Sequence, residues 1–297
     1  MRLTTKQKTT VGIICAVGAA VCYGTNPLGA LNLYAEGMNT PSVLFYRFGL
    51  AWIIIVAINL LRKESLTVSK RQFLTLTILG LLFTISSLSL YISFHMMPAG
   101  VASTLLFTYP IMTAVIMTLF FRQKLTWATM AAIALSVGGV ALLYWGDGQA
   151  TLDPLGVVLV LVSALSYALY IIVVDKSPLP FSSFKINFYV LAYCTMGMLA
   201  YALASGQTLM LPPSPRAWFF VSWLAVVPAI MALVMMVYAA KYVGSTPTAI
   251  LGALEPLTAV MIGVGLFNEP FSINLAWGIA LILAAVVLTV LSKAKQN

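Results

Sequence analysis

The chain has 297 residues, 61% of them hydrophobic and only 8% charged, with a formal net charge of +9. A soluble globular chain carries about 25% charged residues, so too little polar surface exists to cover a water-soluble fold, and the class is polytopic integral membrane protein. A single histidine, His95, makes no case for a histidine-ligated metal. The cysteines (Cys15, Cys22 and Cys194) all lie in apolar segments. Cys15 and Cys22 are about 10 Å apart on one helix, too far to bridge.

A membrane span needs about 20 apolar residues. Ten such segments follow in order: 11–33, 41–61, 72–94, 99–121, 126–145, 155–174, 183–204, 217–240, 246–267 and 272–292. The first follows MRLTTKQK and outruns the apolar region of a signal peptide. It is read as a retained helix, because a counterpart occurs in the second half. The connections are short, and many contain Pro or Gly.

With the N-terminus placed in the cytoplasm, the inner segments hold Arg2, Lys6, Lys8, Arg62, Lys63, Lys70, Arg71, Arg122, Lys124, Lys176, Lys185, Lys241, Lys293 and Lys295. The outer loops hold only Arg216, and Arg47 falls inside the second span. This asymmetry satisfies the positive-inside rule. It accounts for the basic balance without nucleic acid, and it puts both termini in the cytoplasm of a multi-pass protein of the cell (inner) membrane.

A shift of 146 residues lays the segment starting YPIMTAV at Tyr109 over the one starting EPLTAVM at Glu255, so that Pro110 meets Pro256 and Phe121 meets Phe267. Near a shift of 144, Tyr23 meets Tyr167. Five spans in each half make the halves opposite in orientation. The expected fold is therefore all-α integral membrane, with ten transmembrane helices in two inverted five-helix repeats, 11–145 and 155–292. Secondary transporters are commonly built this way, with the substrate at the midplane between repeats.

The YGTNP of the first span resembles the WGSN-type start of EamA domains of the drug/metabolite transporter (DMT) superfamily, with Tyr23 in place of the more usual Trp. The second half resembles the end of such a domain: Pro256 early in a span, Asn268-Glu269 at the hairpin and Gly278 in the final span. In the first half Pro110 and Gly139 match, but Gln123 stands where the family usually has Glu, and Arg47 matches an Arg that the family often carries in its second span. The resemblance covers the whole chain as two tandem domains. It implies a ten-helix carrier with a central cavity, usually exporting small metabolites or amino acids.

Glu255 lies about 14 Å into its span by helical rise, near the middle of a hydrocarbon core about 30 Å thick. A charge there costs on the order of 3 kcal/mol and is expected to face the bundle interior or a wet cavity. Two readings stand: a role in substrate binding or in proton coupling, or satisfaction of backbone groups freed by Pro256. Arg47 is about 9 Å deep and either reaches back to the outer surface or meets an anionic group at a cavity rim. The GTNP turn puts Asn26 at membrane depth, as a site interruption or as a proline kink. Tyr91, Tyr109, Tyr170, Trp223 and Tyr238 join Tyr23 and Tyr167 as candidate cavity aromatics, among which packing roles are also expected. Ser86, Ser87, Ser89 and Gly138–Gly139 are expected to pack helices closely. His95 is expected at the surface, and Glu269 at the start of the last helix as a cap for its free N–H groups.

The chain is thus expected to be a secondary active carrier, an exporter of small organic metabolites such as amino acids, working by alternating access. Alternatives within the same fold are export of drugs or amphipathic compounds, and uptake. No GxxxxGK[ST] phosphate loop occurs. No enzymatic activity and no cofactor are expected, since one midmembrane acid and one His do not make a catalytic cluster. A channel is the remaining rival. The expected partners are a small-molecule substrate and the lipid bilayer; substrate identity and oligomeric state are not encoded legibly.

Overall fold

A computed structural model describes residues 5–121, 127–144, 153–177, 182–243, 251–252 and 254–294. Every regular element among them is helical: α1 (Thr5–Gly24), α2 (Asn26–Ala35), α3 (Thr40–Leu61), α4 (Lys70–Ser93), α5 (Ala99–Leu106), α6 (Tyr109–Phe121), α7 (Trp127–Tyr144), α8 (Pro154–Lys176), α9 (Ser183–Ala204), α10 (Pro215–Leu224), α11 (Ala232–Val243), α12 (Leu254–Phe267) and α13 (Ile273–Ala294). A π-helical stretch, Ala225–Met231, joins α10 to α11 around Pro228.

Among the described residues, seven segments are long and apolar enough to cross a membrane: Gln7–Ala35, Thr40–Leu61, Lys70–Ser93, Ala99–Phe121, Pro154–Val174, Phe184–Ala204 and Pro215–Met236. Met130–Gly139, Leu254–Phe267 and Ile273–Ala285 are shorter apolar helices, which fall on the fifth, ninth and tenth segments expected from the sequence. Large apolar side chains such as Ile14, Leu61, Trp127 and Met261 point outward, as lipid-facing residues do. The protein is a multi-pass membrane protein.

Helix starts follow local chemistry. Asn39 accepts from the Ser42 N–H ahead of Pro41, Asp153 from Leu155 ahead of Pro154, and Ser214 from Ala217 ahead of Pro215. Ser69 and Gln72 form a reciprocal capping box. These caps satisfy N–H groups that have no partner within the helix.

Several expected spans are not single helices. The first breaks at Thr25, the fourth at 107–108, and the eighth carries the π-helical stretch. In the ninth, Gly252 is a turn and α12 starts at Leu254, residues 244–250 lying outside the described ones. Three of the restarts share a sequence feature: Asn26-Pro27, Tyr109-Pro110 and Glu255-Pro256 each stand in the first turn of the new helix. Proline lacks the N–H that a continuous helix would need there and suits a first turn.

The packing pairs α1 with α11, α4 with α8, α3 with α9, α7 with α13 and α5 with α12. In addition α4 touches α9 and α3 touches the π-helical stretch, while α6 packs on α8 and α1 on α12. Small residues allow these approaches, as is usual between membrane helices. A Cβ on Gly139 would stand 2.8 Å from Ile282 Cγ1, and Ser86 bonds Ser163 across α4–α8 at 3.0 Å. Gly138, expected to pack with its neighbour, instead has nothing within 4 Å; one residue along a helix turns about 100° away from the contact.

Two ends of the bundle can be told apart by contacts. At one, Asn39 donates to Thr208 O, Ser42 Oγ accepts from the Met210 N–H, Glu36 pairs with Arg216, and Glu269 meets Ala99. At the other, Asn59 donates to Phe184 O, Lys185 to Thr67 O and Ser182 to Glu64. The pair α1–α2 runs toward the first end, whereas α8 sets out from it, Gly156 lying against Met96 and Met97.

Candidate functional site

The break in the first span is a tight turn. The Thr25 N–H and hydroxyl both reach the Cys22 carbonyl, at 3.2 and 2.7 Å, and Thr25 Oγ1 accepts from Trp223 Nε1 at 3.3 Å. Gly24 presses this turn against α12: a Cβ there would stand 2.7 Å from the Glu255 carbonyl. The two broken helices therefore meet at Glu255.

Arg47 enters from α3. It is 4% exposed, so it does not reach back to the surface. Its guanidinium donates to the Tyr91 hydroxyl and lies over the rings of Phe48 and Tyr91, at 5.1 and 5.3 Å. Tyr91 OH in turn donates to Asn26 Oδ1 at 3.1 Å. The resulting chain, Arg47–Tyr91–Asn26, ties α3 and α4 to the start of α2. Arg47 Nε is buried with no hydrogen-bond partner among the described residues. Charge-assisted bonds and cation–π contacts of this kind offset part of the cost of an enclosed cation.

Tyrosines from three further elements converge beside it. Tyr109 meets Tyr167 edge-on at 4.8 Å, and Tyr167 stacks on Tyr170 at 6.0 Å. Phe83 bridges Tyr170 and Phe48, at 5.4 and 6.1 Å. Glu255 lies within electrostatic reach of Tyr23, Tyr109, Tyr167 and Arg47. No salt bridge joins Arg47 to Glu255 among the described residues, and none of those residues donates a hydrogen bond to the Glu255 carboxylate. Tyr23, Tyr109, Tyr167, Tyr170 and Glu255 are each deep among helices and yet only half-buried. Side chains that are deep yet not fully covered leave free space beside them.

Of the residues singled out from the sequence, Tyr23, Asn26, Arg47, Tyr91, Tyr109, Tyr167, Tyr170 and Glu255 come together. Trp223 adjoins them through Thr25. Tyr238 stands apart: it is 44% exposed and pairs with Tyr242 at 5.9 Å. Phe83 and Thr25 escape the sequence reading. Phe83 carries no signal, being an aromatic within the apolar run Ile78–Phe83 of α4, whereas Thr25 sits inside the GTNP turn itself.

Glu269 departs from expectation. Its carboxylate does not cap the helix that follows it. Oε1 accepts from the Ala99 N–H at 2.6 Å and Oε2 from the Gly100 N–H at 3.1 Å, so it caps α5 in the other half. Asn268, at φ 53°, turns the chain to allow this; Gly and Asn are the residues that best tolerate that conformation.

His95 is exposed, as expected, but not solitary. Its ring lies tilted against that of Tyr34 at 4.0 Å, and Nε2 lies 3.1 Å from Thr40 Oγ1. Partial burial holds its imidazole below the usual histidine range.

The EamA-like transporter family matches residues 10–145 and again 154–291. The chain belongs to this family. Its relatives include an uncharacterized inner membrane transporter, YedA, of Escherichia coli K12, 29% identical over 83% of this chain and 80% of that protein. An uncharacterized transporter of Archaeoglobus fulgidus is 26% identical over 91% and 94%, and YdfC of Bacillus subtilis, also an uncharacterized transporter, is 22% identical over 98% and 95%. One crystal structure superposes with a TM-score of 0.67, at 17% identity, over 98% of this chain and 99% of that one, which shows the fold. With the family established, the chain is a duplicated EamA-domain carrier of the DMT superfamily, a membrane transporter.

Proposed function

We propose that the chain is a secondary active exporter of small organic metabolites, amino acids among them, carried across the bacterial inner membrane by alternating access. The observation that carries this reading is Glu255. It is a carboxylate with no hydrogen-bond donor among the described residues, set in a tyrosine-lined hollow where broken helices from the two halves meet. Discontinuous helices in corresponding positions of two repeats mark substrate sites in secondary transporters.

Ten spans in two inverted quintets are supported by the packing. Exchanging each span for the one five later maps α1–α11 onto α4–α8 and the α4–α9 contact onto that of α3 with the π-helical stretch, and it leaves α3–α9, α5–α12 and α7–α13 as pairs. The opposite directions of α1 and α8 agree with it. The breaks at 107–108 and ahead of Leu254 fall at equivalent positions, with Tyr109 and Glu255 as counterparts. The end carrying Asn39, His95 and Glu269 is the outer one, and both termini are cytoplasmic, by the distribution of Lys and Arg.

In this reading the tyrosine faces hold the organic part of the solute, and Glu255 takes its cationic or hydrogen-bond-donating group. The same carboxylate holds either the solute or a proton, never both, so that solute leaves as a proton enters and export is coupled to the proton gradient. A thermal-shift screen of purified protein against metabolites will identify a stabilising solute. That solute should show accelerated exchange in vesicles when unlabelled solute waits on the far side, and Glu255→Gln should abolish both the exchange and its pH dependence at unchanged expression. Flux that ignores solute on the far side would point to a pore, and retained pH-dependent exchange in the variant would remove Glu255 from coupling.

A further inference from the structure

The chemistry of the hollow leaves Glu269 unused, yet its surroundings are closely fitted. One helix, α12, starts at the hollow with Glu255 and ends at Phe267. Its partner, α5, runs the other way, from Ala99 to Leu106, and delivers the chain to Tyr109 at the hollow. The two helices pack together. Glu269 joins the far ends of this pair, about 15 Å from Tyr109 by helical rise. Both of its oxygens are engaged by backbone N–H groups, and its own N–H returns to the Gly263 carbonyl at 3.0 Å. Two glycines make room. A Cβ on Gly263 would overlap the carboxylate, and one on Gly100 would stand 3.0 Å from Val260 Cα and 3.3 Å from Glu269 Oε2. A carboxylate on the free N–H groups of a helix start is held both by hydrogen bonds and by the helix dipole.

We propose that Glu269 is a latch that closes the outer end of the path to the hollow, a role that rests on the alternating-access reading above. The α5–α12 pair stands between the hollow and the outer face. One helix comes from each half, and the carboxylate is a short, charge-assisted tie between them. Opening that end requires α5 to part from the α12–α13 corner, and the tie must then release. Breaking it shifts the balance of states toward the outward-open one, because only the closed state gains from the contact. Losing the charge and one of two charge-assisted bonds corresponds to about tenfold in that balance.

The test uses the full chain with Cys15, Cys22 and Cys194 replaced, a reporter introduced as Tyr109→Cys, and a membrane-impermeant maleimide. A second reporter, Ser205→Cys at an exposed position of the same end, monitors the reagent and the fold. With Glu269 intact, the reporter at position 109 should label from the cytoplasmic side and only slowly from outside. Glu269→Gln should raise the outside labelling rate at position 109 about tenfold and leave the rate at position 205 unchanged. Gly263→Ala should do the same by crowding a carboxylate that keeps its charge, and it carries the test if Glu269→Gln fails to fold. An unchanged outside rate at position 109 in either folded variant overturns the latch while leaving the carrier intact. A position 109 reporter that labels from neither side in any variant would instead remove the hollow, and with it the carrier reading.

Discussion

Arg47 and Glu255 are charges set deep among apolar helices, and the fold treats them in opposite ways. Arg47 is enclosed, bonded to Tyr91 and laid between two aromatic rings. Glu255 is only half-buried, with no donor on its carboxylate among the described residues. The cation is built into the helix packing and ties three helices together, whereas in the proposed carrier the anion is the group left for the solute. Intramembrane charges are costly in either role. In the proposed carrier, that difference in partners separates scaffold from site.

That contrast can be broken most sharply by deletion. Arg47→Met should destabilise the protein by about 3 kcal/mol through loss of the charged hydrogen bond and the cation–π contacts, whereas Glu255→Gln should unfold at nearly the wild-type temperature in detergent. Equal destabilisation by the two changes would erase the distinction. The hydroxyls sharpen it on a smaller scale. Tyr91→Phe removes a bond to a charged group and should cost about 1.5 kcal/mol; Tyr109→Phe, facing the hollow, should cost less than about 0.5 kcal/mol and alter solute binding instead.

The smallest effect lies at the rim. His95 binds its proton less readily in the folded protein than in the unfolded chain, because partial burial disfavours the cation. The unfolded state therefore takes up more protons as pH falls through the ordinary histidine value of about 6.5. Stability contributed by neutral His95 is present above that pH and lost below it. A slight fall in unfolding temperature on acidification, missing in His95→Gln, is expected. Exposure keeps the effect modest.

The membrane class and the ten apolar segments are readable because lipid demands long uncharged runs, and such runs are visible without any knowledge of packing. Glu255 and Arg47 are equally visible as charges out of place. What each charge does is not, since that depends on partners from other helices: Tyr91 is far from Arg47 in sequence, and only the packing of α4 beside α3 brings its hydroxyl into reach. The break after Leu106 does not show in an apolar run, although Pro110 aligns with Pro256; the proline in the first turn of a restarted helix is the stronger marker. Glu269 misleads for a different reason. Local chemistry offers it the helix next in sequence, and the tertiary fold offers a better one in the other half. Tyr238 qualifies by sequence as an aromatic at membrane depth, and nothing local distinguishes an outward-facing tyrosine from one that faces a hollow.

Modification of the unaltered protein by a hydrophobic carbodiimide, which reacts with carboxyl groups in apolar surroundings, reads the central claim most directly. Peptide mass spectrometry should place the adduct on Glu255, and the solute found to stabilise the protein should protect it in proportion to its occupancy. A Glu255 that stays unmodified, or one that reacts equally with saturating solute present, would contradict an open carboxylate at the heart of the transport site.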